Sequence, residues 1–259
     1  MSECLKINHL VKHYRRGGEN VVAVDRMSFT IGTGECVGMV GESGSGKSTL
    51  VRLLLALEPP DQGAILFRGQ SLIRTNRREL RKLRQHIQVV FQDSTASLND
   101  RLPIWRSVLE PLDNYPNVRP TFFHGPTLSR REKAEQLLNM VGLSGEHMDR
   151  HPHELSGGQR QRACIARGIS LSPQLLICDE PTSSLDVTIQ RQILNLLQSL
   201  QGQLNMSVLF ISHDIAAVTQ ICDRMLVVNK GSIVDDFPAD ELWSDKRHPY
   251  TRMLISAAL

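Results

Sequence analysis

At 259 residues the chain can bury a substantial core. With 41% hydrophobic and 22% charged residues its composition is that of a globular protein, which excludes a disordered or fibrous chain. A net charge of +3 is too mild to direct it to nucleic acid, and the basic run Arg77–Arg84 reads as the solvated face of a helix. Cys4, Cys36, Cys164, Cys178 and Cys222 are scattered without a C-x-x-C pair, so a reduced, cytosolic setting is expected. The N-terminus lacks the layout of a signal peptide, and no apolar stretch approaches the ~20 residues that span a bilayer.

In chain order, Leu5–Ile7 alternates and Val21–Ile31 forms a second β-rich stretch. A turn at Gly32–Glu35 leads into the apolar run Cys36–Val40, the pattern of a buried strand. Gly41-Glu42-Ser43-Gly44-Ser45-Gly46-Lys47-Ser48-Thr49 follows, a match to G-x-x-x-x-G-K-[ST], and runs into a helical stretch over Thr49–Ala56. The glycines let backbone N–H groups turn inward on a phosphate chain, while the helix points its positive end at the same anion. Lys47 is placed for the β- and γ-phosphates and the Ser48 hydroxyl for Mg²⁺. A glycine- and serine-rich loop can arise by chance, but the buried strand before it and the apolar helix after it are the context the motif requires.

Residues 63–73 predict a hairpin, and Ile87–Phe91 another short strand. From about 95 to 170 the texture becomes helical, broken by Pro and Gly, with Ser129–Val141 one such segment. Residues 113–127 are proline-rich and without period, an irregular surface loop. Here Leu155-Ser156-Gly157-Gly158-Gln159 places a hydroxyl and small residues ahead of a helix, which suits an anion and equally a helix cap. Strands and helices then alternate: Leu175–Cys178, helix Val187–Gln201, Val208–Ile211, helix Ile215–Ile221, Met225–Val228. That is the pattern of a mostly parallel sheet with crossover helices. Leu175–Cys178 leaves Asp179 and Glu180 at the C-terminal end of a strand, where α/β sheets bind ligands. Asp179 suits a water-mediated Mg²⁺ contact and Glu180 an attacking water, although adjacent carboxylates can also simply open a turn.

In this order the motifs resemble the ABC ATPase family over essentially the whole chain. The resemblance implies an α/β P-loop ATPase core with an N-terminal antiparallel β subdomain and an inserted α-helical subdomain. One nucleotide-binding domain would occupy 1–259, with 1–94 and 171–259 as core and 95–170 as the helical, signature-bearing part. It implies ATP and Mg²⁺ as ligands. Gly41, Ser43, Gly44, Ser45, Gly46, Lys47, Ser48 and Thr49 would cradle the nucleotide. Ser156, Gly157, Gly158 and Gln159 would meet the γ-phosphate held by an opposite subunit. Gln92 resembles the Q-loop residue that senses Mg²⁺ and the permease, and Ser184-Leu185-Asp186 the D-loop. His213 resembles the histidine that steadies the γ-phosphate, and Tyr14 lies where the family sets an aromatic ring against adenine. Alone, Tyr14 or His213 would read as structural; His213 gains from its place between a strand and a helix. His151 and His153 read as loop residues rather than metal ligands, and His9, His13, His86, His124 and His147 have no partners at ligand spacing.

Within the family, Val89–Asp93 with Ser97-Leu98-Asn99, Thr182–Val187, and the tail Arg247-His248-Pro249-Tyr250-Thr251-Arg252 resemble the oligopeptide, dipeptide and nickel importers. Val234-Asp235-Asp236-Phe237 adds a likeness to ATPases importing nickel or metal–opine chelates. The resemblance implies a peripheral subunit on the cytoplasmic face of the inner membrane, bound to separate permease subunits. A second ATPase, identical or distinct, would complete the motor, and an extracytoplasmic binding protein would supply cargo indirectly. Asp100 stands where the branch has proline, and the 113–127 loop is longer than expected. With no cysteine-bearing extension before Leu259, no iron–sulfur cluster is expected. Rival readings are a soluble ABC ATPase, for which twin cassettes or long coiled-coil insertions are wanting, and a non-hydrolytic scaffold, against which Glu180 and His213 speak. An accessory ATPase of phosphonate breakdown stays open.

Overall fold

The computed structural model describes residues 2–73, 75–124 and 127–258. Two long strands, β1 (Glu3–Arg16) and β2 (Glu19–Gly32), pair antiparallel, and β3 (Cys36–Val40) runs into the glycine-rich loop and α1 (Lys47–Leu54). A hairpin of β4 (Gln62–Phe67) and β5 (Gln70–Ser71) precedes α2 (Arg77–Arg84) and β6 (Ile87–Val90). Helices α3 (Ser94–Ser97), α4 (Ile104–Asn114), α5 (Arg130–Met140) and α6 (Gly157–Ile169) come next. The chain then alternates through β7 (Leu175–Asp179), α7 (Val187–Leu204), β8 (Ser207–Ser212) and α8 (Ile215–Ile221). It closes with β9 (Arg224–Asn229), β10 (Ser232–Pro238) and α9 (Pro249–Ala258).

One sheet has the order β2-β1-β4-β5 and the other β10-β9-β3-β8-β7-β6. From β9 to β6 the second sheet is parallel; β10 is an antiparallel edge strand. Both faces of this sheet are covered at its centre, so β3 and β8 are buried along their whole length and successive side chains enter different cores. In β8, Val208 and Phe210 join the core shared with α4, α5, α6 and α8, whereas Leu209 and Ile211 join the core shared with α1 and the antiparallel sheet. Strand order sets β3, β8 and β7 side by side, with their C-terminal ends at one edge.

Three local expectations shift. β1 and β2 are much longer than the sequence pattern foretells, because register shifts such as those around Leu10 break the alternation that marks a strand. The helix expected over Thr49–Ala56 starts earlier, at Lys47, and ends at Leu54, with Ala56 at φ +50° beyond it. Of the irregular stretch 113–127, Asp113 and Asn114 close α4, and Gly125 and Pro126 lie outside the described residues. All five cysteines are free and buried.

Candidate active site

The loop between β3 and α1 is held from outside. Gly231, in the turn between β9 and β10, donates its N–H to the Ser45 carbonyl at 2.9 Å, and Asp25 of β2 donates to the Gly231 carbonyl at 2.8 Å. Gly46 caps α1 at φ +106°, and a Cβ there would lie 2.1 Å from the Ala23 carbonyl oxygen, so only glycine fits. Helices α2, α3, α5, α6, α7 and α8 all receive a side-chain cap, from Asn76, Asp93, Ser129, Ser156, Asp186 and Asp214. α1 receives none from Gly46. Its first N–H groups are therefore left for an anion, where the helix dipole also favours negative charge.

Lys47 is folded back over this loop. Its Nζ donates to the carbonyls of Gly41 at 2.7 Å and Glu42 at 2.9 Å and to Ser45 Oγ at 3.3 Å. Burial pushes its ammonium below the ordinary lysine value, and the charges of Glu180 and Asp179 pull it partly back. Asp179 ends β7 and Glu180 follows it, next to β8, which leads to His213. Burial first, and then the Glu180 charge, raise the Asp179 carboxyl above its usual range, with Lys47 opposing. Glu180 adopts φ +48°, a conformation uncommon for a non-glycine residue and found where the surrounding structure imposes it. Its Oε2 lies 3.1 Å from His213 Nδ1. Ser43, Gly44 and Ser48 are exposed, open to a ligand arriving at the loop.

The remaining sequence-predicted residues are placed as follows. Ser156 accepts from the Gln159 N–H at 3.3 Å, while Gln159 accepts from the Ser156 N–H at 3.0 Å, a capping box that starts α6. Gln159 also meets buried His147, ring nitrogen to amide nitrogen, at 3.1 Å. Asp186 caps α7 through the Ile189 N–H at 3.0 Å. Gln92 is exposed between β6 and α3, and Arg167 of α6 donates to the Ser97 carbonyl, so the signature helix grips the segment that follows Gln92. Tyr14 lies near the end of β1 opposite Val21, its hydroxyl donating to Glu58 at 2.6 Å. Thr49 is half-buried beside it. The Gly231 turn and Asp214, which accepts from Gln190 at 2.6 Å and so ties α8 to α7, are contributors the sequence did not mark. A Gly two residues past the end of an apolar strand was the available signal for the turn; the Gln190–Asp214 bond had none.

Comparison with known proteins gives one answer. The profile of the ABC transporter family matches residues 24–183. The oligopeptide transport ATP-binding protein OppF of Bacillus subtilis (strain 168) is 42% identical over 254 residues, covering 98% of this chain and 81% of the relative. The oligopeptide transport ATP-binding protein AppF of the same strain is 44% identical over 245 residues, covering 94% and 72%. Among solved structures, the dimeric ATP-binding cassette MJ0796 in a post-hydrolysis state with ADP and Pi has a TM-score of 0.79 at 28% identity, covering 91% of this chain and 98% of that one. cbiO1 from Clostridium perfringens, part of the ABC transporter complex cbiONQ, has a TM-score of 0.79 at 27% identity, covering 99% and 100%. Since the matched span takes in both the glycine-rich loop and the paired carboxylates, this chain belongs to the ABC transporter family and is an ATP-hydrolysing subunit of it.

Proposed function

We propose that this chain powers peptide import through separate permease subunits at the cytoplasmic face of a membrane, as one of two ATPase subunits that close on ATP. Cargo would reach the permease through an extracytoplasmic binding protein. The observation that carries the reading is the convergence, at adjacent strand ends, of an uncapped helix N-terminus, Lys47, a raised Asp179 and the Glu180–His213 contact. The names of the relatives, both oligopeptide transport ATP-binding proteins, support peptide as the cargo. The nickel likeness of Val234–Phe237 has an internal explanation: Asp235 and Phe237 hold the C-terminal tail of the same chain. Among the described residues no helix is long and apolar enough to cross a membrane, in keeping with permeation by other chains.

Lys47 and the first N–H groups of α1 bind the β- and γ-phosphates, with Gly41–Thr49 as cradle and Tyr14 beside the base. Ser156, Gly157, Gly158 and Gln159 present the N-terminus of α6 to a nucleotide held by the opposite subunit. In this role Gln159 acts by fixing the cap, since its side chain is engaged with Ser156 and His147. Asp186 likewise acts by setting the start of α7. The donor set fits Mg²⁺: a hydroxyl on Ser48, an amide oxygen on Gln92 and a half-buried carboxylate on Asp179 are hard oxygen ligands. Asp179, whose carboxyl burial and then the Glu180 charge raise above its usual range, gains from a nearby cation. When bound, that ion supplies charge neutralisation of the phosphates. Glu180 holds and deprotonates the attacking water, and His213, fixed against Glu180 Oε2, steadies the γ-phosphate. Residues 95–170 form the unit that carries the signature and transmits closure to the permease.

The test is Glu180→Gln. It should bind MgATP with wild-type affinity and lose hydrolysis by about 10²–10⁴-fold, the scale of a positioned general base. Wild-type hydrolysis would remove Glu180 from the role. In cells carrying this variant, labelled dipeptide uptake should fall; loss of nickel uptake alone would replace peptide by metal as cargo.

A further inference from the structure

Helices α5 and α6 both start with a capping box, but the residue that closes the box differs. At α5, Glu132 accepts from the Ser129 N–H at 2.7 Å. Both ends of a carboxylate accept, so either orientation serves. At α6 the same place belongs to Gln159, whose Oε1 accepts from the Ser156 N–H at 3.0 Å. An amide has one accepting end and one donating end, and a half turn would set its NH₂ against the Ser156 N–H. A carboxylate here would add negative charge at the very helix end that is to meet a phosphate, and an amide adds none. The neutral residue therefore suits the anion, but its orientation has to be fixed from outside the box.

His147 is placed to fix it. It ends a short 3₁₀ turn, Gly145–His147, between α5 and α6, and is only 7% exposed. Its Nε2 lies 3.1 Å from Gln159 Nε2. Its Nδ1 lies 3.0 Å from Ser144 Oγ and 3.2 Å from the Ser144 carbonyl oxygen. The proton position follows from either end of this chain of contacts. The Ser156 N–H only donates, so Gln159 turns Oε1 to it and NH₂ to His147, whose Nε2 must accept. The Ser144 carbonyl only accepts, so the ring carries its proton on Nδ1. Met148, the next residue, is buried, and its carbonyl accepts from the Trp105 N–H of α4 at 3.0 Å. The ring is thus anchored to the helical part of the molecule. At the far end, Ser156 Oγ accepts from the Gln159 N–H at 3.3 Å, which leaves its O–H to donate elsewhere.

We infer that His147 is a positioning residue for the signature: by holding the Gln159 amide in one orientation, it sets Ser156 to donate its hydroxyl to the nucleotide of the opposite subunit. The inference rests on the signature role proposed above. His147 touches no reacting atom and acts only through Gln159.

The experiment compares wild type, His147→Leu, His147→Gln and Ser156→Ala as full chains, by calorimetric titration with MgATP, steady-state hydrolysis and proton–nitrogen NMR of ¹⁵N-histidine-labelled protein. His147→Leu removes the acceptor, so kcat should fall about three- to tenfold, the worth of one hydrogen bond. The Kd for MgATP should stay within about twofold, because the chain's own glycine-rich loop binds it. His147→Gln restores an accepting oxygen near the place of Nε2, and its kcat should return to within about twofold of wild type. The imidazole signals that His147→Gln removes from the spectrum should show the proton on Nδ1 and a bare Nε2. A proton on Nε2 would overturn the inference, and this readout needs no folded His147→Leu. Equal losses in His147→Leu and His147→Gln would make His147 a packing residue and likewise overturn it. Loss of hydrolysis in Ser156→Ala with a wild-type kcat in His147→Leu would overturn the role of His147 alone. Wild-type hydrolysis in Ser156→Ala would remove the signature role, and the inference with it.

Discussion

The glycine-rich loop is the part of this protein whose tolerance can be worked out position by position. At Gly44 the backbone has φ +82° and an added Cβ would meet nothing within 4 Å. Gly44→Ala then costs only left-handed strain of about 1–2 kcal/mol, partly offset by a less flexible unfolded chain, or about 1 kcal/mol net. Gly46 has φ +106° and its Cβ would sit 2.1 Å from the Ala23 carbonyl oxygen of β2, a contact that can be relieved only by moving one backbone against another. Overpacking of that kind costs about 1–3 kcal/mol more, so Gly46→Ala should lose about 2–4 kcal/mol. At about 2–4 °C per kcal/mol for a chain of this size, thermal unfolding without nucleotide should fall by a few degrees in Gly44→Ala and by about 5–15 °C in Gly46→Ala. Circular dichroism measures both. Equal shifts would refute the reasoning, because they would mean that the Ala23 carbonyl does not constrain the loop.

Two further pairs of measurements separate structural from functional roles. Ser129 and Ser156 make matching capping boxes at α5 and α6, so Ser129→Ala and Ser156→Ala should each cost about 1 kcal/mol of stability, but only Ser156→Ala should lose hydrolysis. If both variants hydrolyse ATP like wild type, the signature role of Ser156 fails. His86 is half-buried, and burial followed by the Arg68 charge holds its imidazole below the ordinary 6.5. The unfolded chain therefore takes up that proton first, so the stability from neutral His86 is complete above pH 6.5 and is lost as pH falls toward the lower, folded value. Urea unfolding at pH 7.5 and 5.5 should show a smaller loss for His86→Gln than for wild type; parallel losses would dismiss His86 as the source.

The sequence by itself determined the local pieces. The loop Gly41–Thr49, the strand ending in Asp179–Glu180 and the Ser156–Gln159 helix start each depend on residues within one turn or one strand end, where backbone conformation and capping are set by neighbours in the chain. The same locality made the alternation of strands and helices after Leu175 readable. β1 and β2 were only partly legible, because register shifts interrupt the period on which the reading depends. What brings the pieces together is non-local. Strand order alone sets β8 between β3 and β7, and so delivers Lys47, His213 and Glu180 to one edge. Nothing in the glycine-rich motif announces that Ala23 closes over Gly46 or that Gly231 supports Ser45. Those contacts join segments far apart in the chain, and they exist only because burial of both sheet faces fixes which segments become neighbours.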